Sequence, residues 1–376
     1  MKAIHGKHVY LGDETSLKNG YIVFDNDKIV EIAKKKPDCE VVEECEVITP
    51  AFIDAHCHIG IARAGEPQID DDTNDSMESL LFNLDVLDSI IMEDTSFQES
   101  LEAGVLYSCV LPGSANVIGG RSVLIRNYAE NTREAFIKHT GLKAAFGYNP
   151  KSNEDGKDTH PSTRMGAVSL LRRMLIKGRK TIKLIEHEKK SVDEIEPKMD
   201  VVIALLNRDE RLRVHAHKTD DIMAALRLAD EFNLNITFEH ASDVFRKKTF
   251  DLLKEKEIPL LYGPLDAFPY KVELRNENWK NAKHVISSGI KFALISDHPI
   301  VLQRMLYLQL RHLRRLGLTK EQCISKITKE PAEILGAGGL GTLAPGKLAS
   351  FVCWNDDLFN LDSYPVSVFA EGKKII

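Results

Sequence analysis

The sequence predicts an α/β protein: a closed, mostly parallel barrel with a small β domain assembled from the two ends of the chain. Three observations carry this. Both ends of the 376-residue chain read as short alternating strands, and the middle alternates apolar β-rich runs with helical segments. Histidines and one acid also gather at the C-terminal ends of four different middle strands. A closed barrel brings such ends to one mouth, whereas an open sheet spreads them along an edge. A dinucleotide-binding sheet is disfavoured as well, because no G-x-G-x-x-G follows the first middle strand.

The N-terminal strands are HVYL, YIVFDNDKIVEIA and VVEECEVITP, broken by turns such as Asp25-Asn26-Asp27. Their alternation is that of a half-buried antiparallel sheet. SFVCWN and SVFAEGKKII repeat the pattern after the glycine-rich run Gly336 to Gly346. Termini often lie close together, so one small domain from both ends is the economical arrangement.

Candidate barrel strands are VITPAFIDAH, GVLYSCVLP, KAAFGYN, LRVHAHK, NITFEHA, IPLLYG and IKFALISDH. An eighth is placed at KTIKLIE (180 to 186), which could equally prolong the preceding helix. Helices are expected over TSFQESLEAG, GAVSLLRRMLIKGRK, SVDEIEPKMDVVIALLNRDE and DDIMAALRLADEFN.

Composition narrows the function. Lys plus Arg total 50 against 56 Asp plus Glu, a net charge of −6, so nucleic acid and anionic membranes are not the expected partners. No stretch approaches the ~18 apolar residues of a membrane-spanning helix, and the N-terminus lacks a signal-peptide core. The six cysteines show no C-x-x-C pairing and read as reduced thiols, which points to the cytoplasm. A small molecule is the expected partner, with a homo-oligomer suggested only by the frequency of dimers.

The chemistry lies in the strand ends. Alternation puts His56 and His58 on one face of Asp54-Ala55-His56-Cys57-His58, where two imidazoles can chelate one ion. His215 and His217 end a second strand, Glu239-His240 a third, and Ser296-Asp297-His298 a fourth. Any one of these is accounted for as a core or surface histidine; all four together are explained by one metal site. Imidazole suits zinc, iron or nickel, and zinc is the expected ion. Such an ion lowers the pKa of water from about 15.7 towards 7. Asp297 is the candidate base, and also a candidate ligand. His240 would polarise the attacked carbonyl, and His215 or His217 would complete the metal shell, a choice that spacing leaves open.

DAHCH, HAH, EH, SDHP and the tail GLGTLAPGKLASFVCWN together resemble the amidohydrolase superfamily, in particular its imidazolonepropionase-like members. PGSANVIGG (112 to 120) and PSTRMG (161 to 166) are similar to an uncharacterised branch of that group. The resemblance covers essentially the whole chain. It implies a TIM-like (β/α)8 barrel, regular or distorted, over 50–331, and a composite β-sandwich domain from 1–49 and 332–376. It also implies His56, His58 and His215 as metal ligands and Asp297 as the shared base. His240 would bind a second metal or contact water and substrate. Relatives with two metals usually bridge them with a carboxylated lysine on the fourth strand, or supply a glutamate near the third or fourth. The candidate here is Lys183, in a segment of uncertain type, so one ion is expected rather than two. Relatives often read GENPK where this chain has Tyr148 in GYNPK, an expected acid lost.

Arg121, Arg164, His217 and Lys218 are the candidate substrate contacts, arginine's planar fork suiting a carboxylate. PGSANVIGG could offer backbone N–H groups to an anion, and the acidic loop GEPQIDDDTNDS (65 to 76) would overhang the mouth. The predicted function is metal-dependent hydrolysis of a C–N bond in a cyclic amide or N-acyl small molecule, not a protein. Hydrolytic deamination is the nearest alternative, although no H-x-x-E follows the fifth strand. A non-catalytic scaffold, or lactonase and phosphotriesterase chemistry, are further rivals.

Overall fold

The computed structural model describes residues 1–63, 71–152, 160–188 and 191–376. Two sheets organise it. The small sheet is built from β1 (Lys2–Tyr10), β2 (Ser16–Asp25), β3 (Lys28–Ala33) and β4 (Glu40–Pro50). The C-terminal strands β13 (Phe351–Trp354), β14 (Pro365–Ala370) and β15 (Lys373–Lys374) complete it. Its order is β15-β14-β13-β4-β1-β2-β3, so the two ends of the chain meet where β13 pairs antiparallel with β4. Ile4, Ile22, Phe24, Ile48, Phe351 and Phe369 form its own core, with Phe351 and Phe369 stacked at 4.9 Å.

The second sheet holds the eight strands β5 (Phe52–Cys57), β6 (Val105–Val110), β7 (Ile118–Arg126), β8 (Phe136–Ala145), β9 (Leu212–Ala216), β10 (Ile236–His240), β11 (Leu260–Tyr262) and β12 (Phe292–Leu294). Consecutive strands are neighbours from β5 to β12. The ends of the sheet meet just beyond β5 and β12, where the Asp297 amide donates to the His56 carbonyl (3.0 Å) and the His58 amide to the His298 carbonyl (2.9 Å). The fully buried Asp54 carboxylate reinforces this seam. It accepts from the His56 and Ser296 amides, from the Ser296 hydroxyl and from Gln303 Nε2 (2.9 Å). The chain is therefore a nearly closed TIM-like barrel beside a β domain.

The barrel departs from a regular (β/α)8 pattern at β7, which runs antiparallel to both β6 and β8. This strand, IGGRSVLIR, is the true eighth; its glycines had suggested an anion-binding loop. The expected strand over 180 to 186 is corrected. It lies inside the helix Arg164–Glu186, whose buried stripe Ala167, Leu171, Leu175, Gly178 and Thr181 keeps helical spacing to the end. A Cβ on Gly178 would lie 2.6 Å from Val202 Cγ1, so glycine lets this helix approach the next, Pro197–Asn207. That second helix starts later than its periodicity suggested, because Pro197 suits the first turn and not the interior. VITPAFIDAH is likewise divided: β4 ends at Pro50 in the small sheet, and the barrel begins at Phe52. Among the described residues no helix is long and apolar enough to cross a membrane.

Candidate metal centre

Each histidine of the cluster sits at, or one or two residues beyond, the C-terminal end of a barrel strand. His56 is the penultimate residue of β5 and His58 follows the strand; His215 lies on β9 and His217 follows it; His240 is the last residue of β10. Asp297 comes three residues after β12. Two of these residues hold left-handed backbone conformations, His240 at φ 74° and Asp297 at φ 52°. Such geometry costs about 1–3 kcal/mol per residue and is characteristic of functional sites.

Hydrogen bonds on the outer side of the cluster set the inner side. His56 Nδ1 is 2.7 Å from Glu239 Oε2, His58 Nδ1 is 2.7 Å from the Leu111 carbonyl, and His240 Nδ1 is 3.1 Å from the Gly263 carbonyl. A carboxylate or carbonyl accepts only, so each Nδ1 carries the proton and each Nε2 keeps its lone pair. His56 Nε2 and His58 Nε2 lie 3.5 and 3.4 Å from Asp297 Oδ1. His298 has the opposite tautomer: its Nδ1 accepts from the Gln303 amide (3.2 Å), which excludes it from this ring of lone pairs.

The remaining rings close the group. His215 stands 4.7 Å from His217 and 4.5 Å from His240, centroid to centroid, and His56 is 4.7 Å from His240. Donor atoms of His215, His217 and His240 lie within 4.8 Å of one another, as do those of His56, His240 and Asp297. His240 belongs to both sets. Burial holds His56, His215 and His217 well below the ordinary imidazole pKa, and neighbouring rings with the Lys143 charge add to it. Burial alone would raise the Asp297 carboxyl, but the neighbouring His240 and His58 and the Lys143 charge outweigh it and hold the group at about 2.

These residues fit a metal. Both ring nitrogens of His215, Nε2 of His240 and Nδ1 of His217 are buried without a hydrogen-bond partner. Buried polar atoms are nearly always paired, and three histidines with orphaned nitrogens in one cluster, each able to give one nitrogen, form a donor set of the kind a divalent ion takes.

Sequence patterns missed the groups behind this ring. Lys143, on β8, is fully buried with Nζ 3.1 Å from His56 Nε2. Burial lowers its ammonium to about 8, with Arg213 adding to this, against the pull of Asp297 and Glu239. A lysine at an inward position of the apolar strand GLKAAFG was the available signal. Lys183 is corrected: it is an exposed residue near the C-terminal end of the helix Arg164–Glu186, not on a barrel strand. Arg213 and Glu239, both fully buried, pair through Nε (3.0 Å) and Nη2 (3.1 Å), and Arg213 also donates to the Ala55 carbonyl (2.7 Å). Glu239 thereby anchors His56.

The expected substrate contacts are placed unequally. His217 Nε2 lies 3.9 Å from Glu273 Oε1, and Lys218 follows it, half-buried. Arg164 pairs with Asp221 (3.3 Å) at the start of its helix. Arg121 pairs with Leu142 on β8, one residue from Lys143 and so on the opposite face of the sheet. The structure does not bring it to the histidines. Tyr148 has a carboxylate beside it after all, because its amide donates to Glu273 Oε2 (2.9 Å) from the loop after β11. Of the acidic loop 65 to 76, residues 65–70 lie outside the described residues. All six cysteines are free thiols.

Comparison with known proteins agrees with this architecture. A solved amidohydrolase from Thermotoga maritima MSB8 is 30% identical, with each chain covered in full and a TM-score of 0.93. The amidohydrolase tasK of Hapsidospora irregularis is 24% identical over 94% of this chain, which spans only 39% of that relative's length. Atrazine chlorohydrolase TrzN from Arthrobacter aurescens TC1, solved with zinc, shares the fold at 17% identity, a TM-score of 0.59 and coverage of 100% and 95%. The amidohydrolase family profile matches residues 47–375. With nearly the whole chain matched and a barrel mouth ringed by histidines, this protein belongs to the amidohydrolase family and is a hydrolase acting on carbon–nitrogen bonds.

Proposed function

We propose that the protein is a divalent-metal-dependent hydrolase that adds water to the C–N bond of a cyclic amide or N-acyl small molecule, as the imidazolonepropionase-like resemblance implies. The observation that carries this is a pair of donor clusters sharing His240, one with His215 and His217 and the other with His56 and Asp297, in which His215, His217 and His240 hold buried ring nitrogens without a partner. His56, His58, His215 and Asp297 would hold the ion, with His217 and His240 as the alternative donors. Zinc fits the imidazole donors, as do iron and nickel. When bound, the ion supplies positive charge that acidifies water and polarises a carbonyl. Asp297 takes the proton of the attacking water and returns it to the departing nitrogen. His240, 3.9 Å from Asp297 Oδ2, faces the same space and contacts the attacked group. Glu239 and the Leu111 carbonyl keep His56 and His58 in the tautomer the site needs. Free thiols and a small-molecule substrate suit a cytoplasmic enzyme.

Metal content is the test. Protein purified without chelator should carry about one ion per chain by elemental mass spectrometry, lost in His56→Ala/His58→Ala. No ion after reconstitution with zinc, iron or nickel would sink the reading and leave a scaffold.

Lys143 favours a second reading, with two ions. Its buried amine beside His56 has the position that a bridging carboxylated lysine needs. Under this reading the native protein carries about two ions, and Lys143→Ala reduces the count to one. A count of one in both proteins removes it.

A further inference from the structure

We propose that a pocket of about 460 Å³ beside His217 is the subsite for the non-reacting part of the substrate, and that this part carries a carboxylate next to an apolar group, with Lys218 as the anion contact. The inference rests on the hydrolase reading and adds a substrate class to it: N-acyl amino acids with apolar side chains.

The location comes first. The pocket is lined by Tyr148 after β8, Lys218 after β9, Arg164 and Met165 at their helix start, and Val272 and Glu273 from the loop after β11. These belong to the end of the barrel that carries the histidines. Glu273 is a shared wall, since its Oε1 lies 3.9 Å from His217 Nε2. The volume falls in the range of small-molecule sites.

Charge comes second. Glu273 is matched by Lys271 at 2.9 Å, and the buried Asp221 by Arg164 at 3.3 Å. Lys218 is half-buried, yet among the described residues no carboxylate lies within ion-pair distance of it. Lys151 also lines the pocket and, among the described residues, has no carboxylate within that distance either, so the two ammonium groups call for an anionic group. A phosphate-rich ligand would need a glycine-rich cradle, which the lining lacks, and a cationic ligand would meet acids already paired.

Apolar surface comes third. Met165 is 78% exposed, Val272 75% and Tyr148 40%, and all three face this pocket. Exposed apolar side chains gathered around a charged contact suit a ligand with the same two features.

The test uses metal-loaded protein and pairs of probes: N-acetyl-L-leucine, N-acetyl-L-methionine and N-acetyl-L-phenylalanine, each beside its neutral carboxamide. Binding is measured by isothermal titration and acetate release on the same samples. At least one acid should bind roughly 10- to 100-fold tighter than its carboxamide, the range of a charged hydrogen bond. Lys218→Met should remove that preference while the circular dichroism and melting curve stay unchanged. Equal binding of acids and carboxamides, a preference that survives Lys218→Met, or no binding of any probe overturns the assignment. The two readings fail separately. Acids bound but never hydrolysed would sink the hydrolase reading and keep the subsite, whereas hydrolysis of carboxamides alone would keep the hydrolase and remove the subsite.

Discussion

Asp297→Asn is expected to lower turnover by about 10²- to 10⁴-fold, the usual contribution of a positioned general base, with the barrel intact. The substitution keeps an oxygen and a similar shape. The neighbouring Nε2 atoms of His56 and His58, 3.5 and 3.4 Å from the carboxylate, keep a polar group of the same size beside them, so the local packing has no reason to collapse. What it removes is a group able to take a proton from water and pass it on. Initial rates on a hydrolysed substrate, measured with circular dichroism and metal content, check this. A variant within tenfold of native activity would take the base role away from Asp297.

Arg213→Met is expected to cost about 3–5 kcal/mol of stability, because it strands the Glu239 carboxylate in the barrel interior. Both partners are fully buried, and Arg213 contributes two hydrogen bonds to Glu239. What remains to that carboxylate is the Thr237 hydroxyl (2.9 Å) and His56 Nδ1. At roughly 2–4 °C per kcal/mol for larger domains, the melting temperature should fall by at least about 6 °C at one fixed scan rate. Adding Glu239→Leu removes the stranded charge and should recover part of the loss. Metal affinity should stay roughly 10- to 100-fold below native in that double variant, since His56 has lost the acceptor that orients it. Native metal affinity there would show that Glu239 serves packing alone.

Much of the site was legible because its information is local. Alternation along a strand places His56 with His58, and His215 with His217, before any tertiary contact exists. The four strand ends then point to a closed barrel with one mouth. The limits were of two kinds. The strand β7 was hidden because Gly119 and Gly120 read as a turn, although a Cβ on Gly120 would lie only 2.8 Å from the Leu84 carbonyl, a close approach that explains the residue. KTIKLIE was ambiguous because a seven-residue apolar-basic run suits either period; its helical identity shows only with the full stripe from Ala167 to Thr181.

By itself, the sequence determined the two-part architecture, the meeting of both termini in one sheet, and a histidine-rich mouth with one acid, because residue type and short-range periodicity decide these. Only the tertiary structure decided which lysine stands at that mouth, which ring nitrogens face inward, and which carboxylates hold them. Lys143 and Lys183 are equivalent as residue types; barrel closure alone brings Lys143 to His56, which is 87 positions away in the chain. The Glu239 to His56 bond spans 183 positions and the Asp54 to Ser296 clamp 242. Such pairings depend on strand order and register across the whole sheet, which no local pattern encodes.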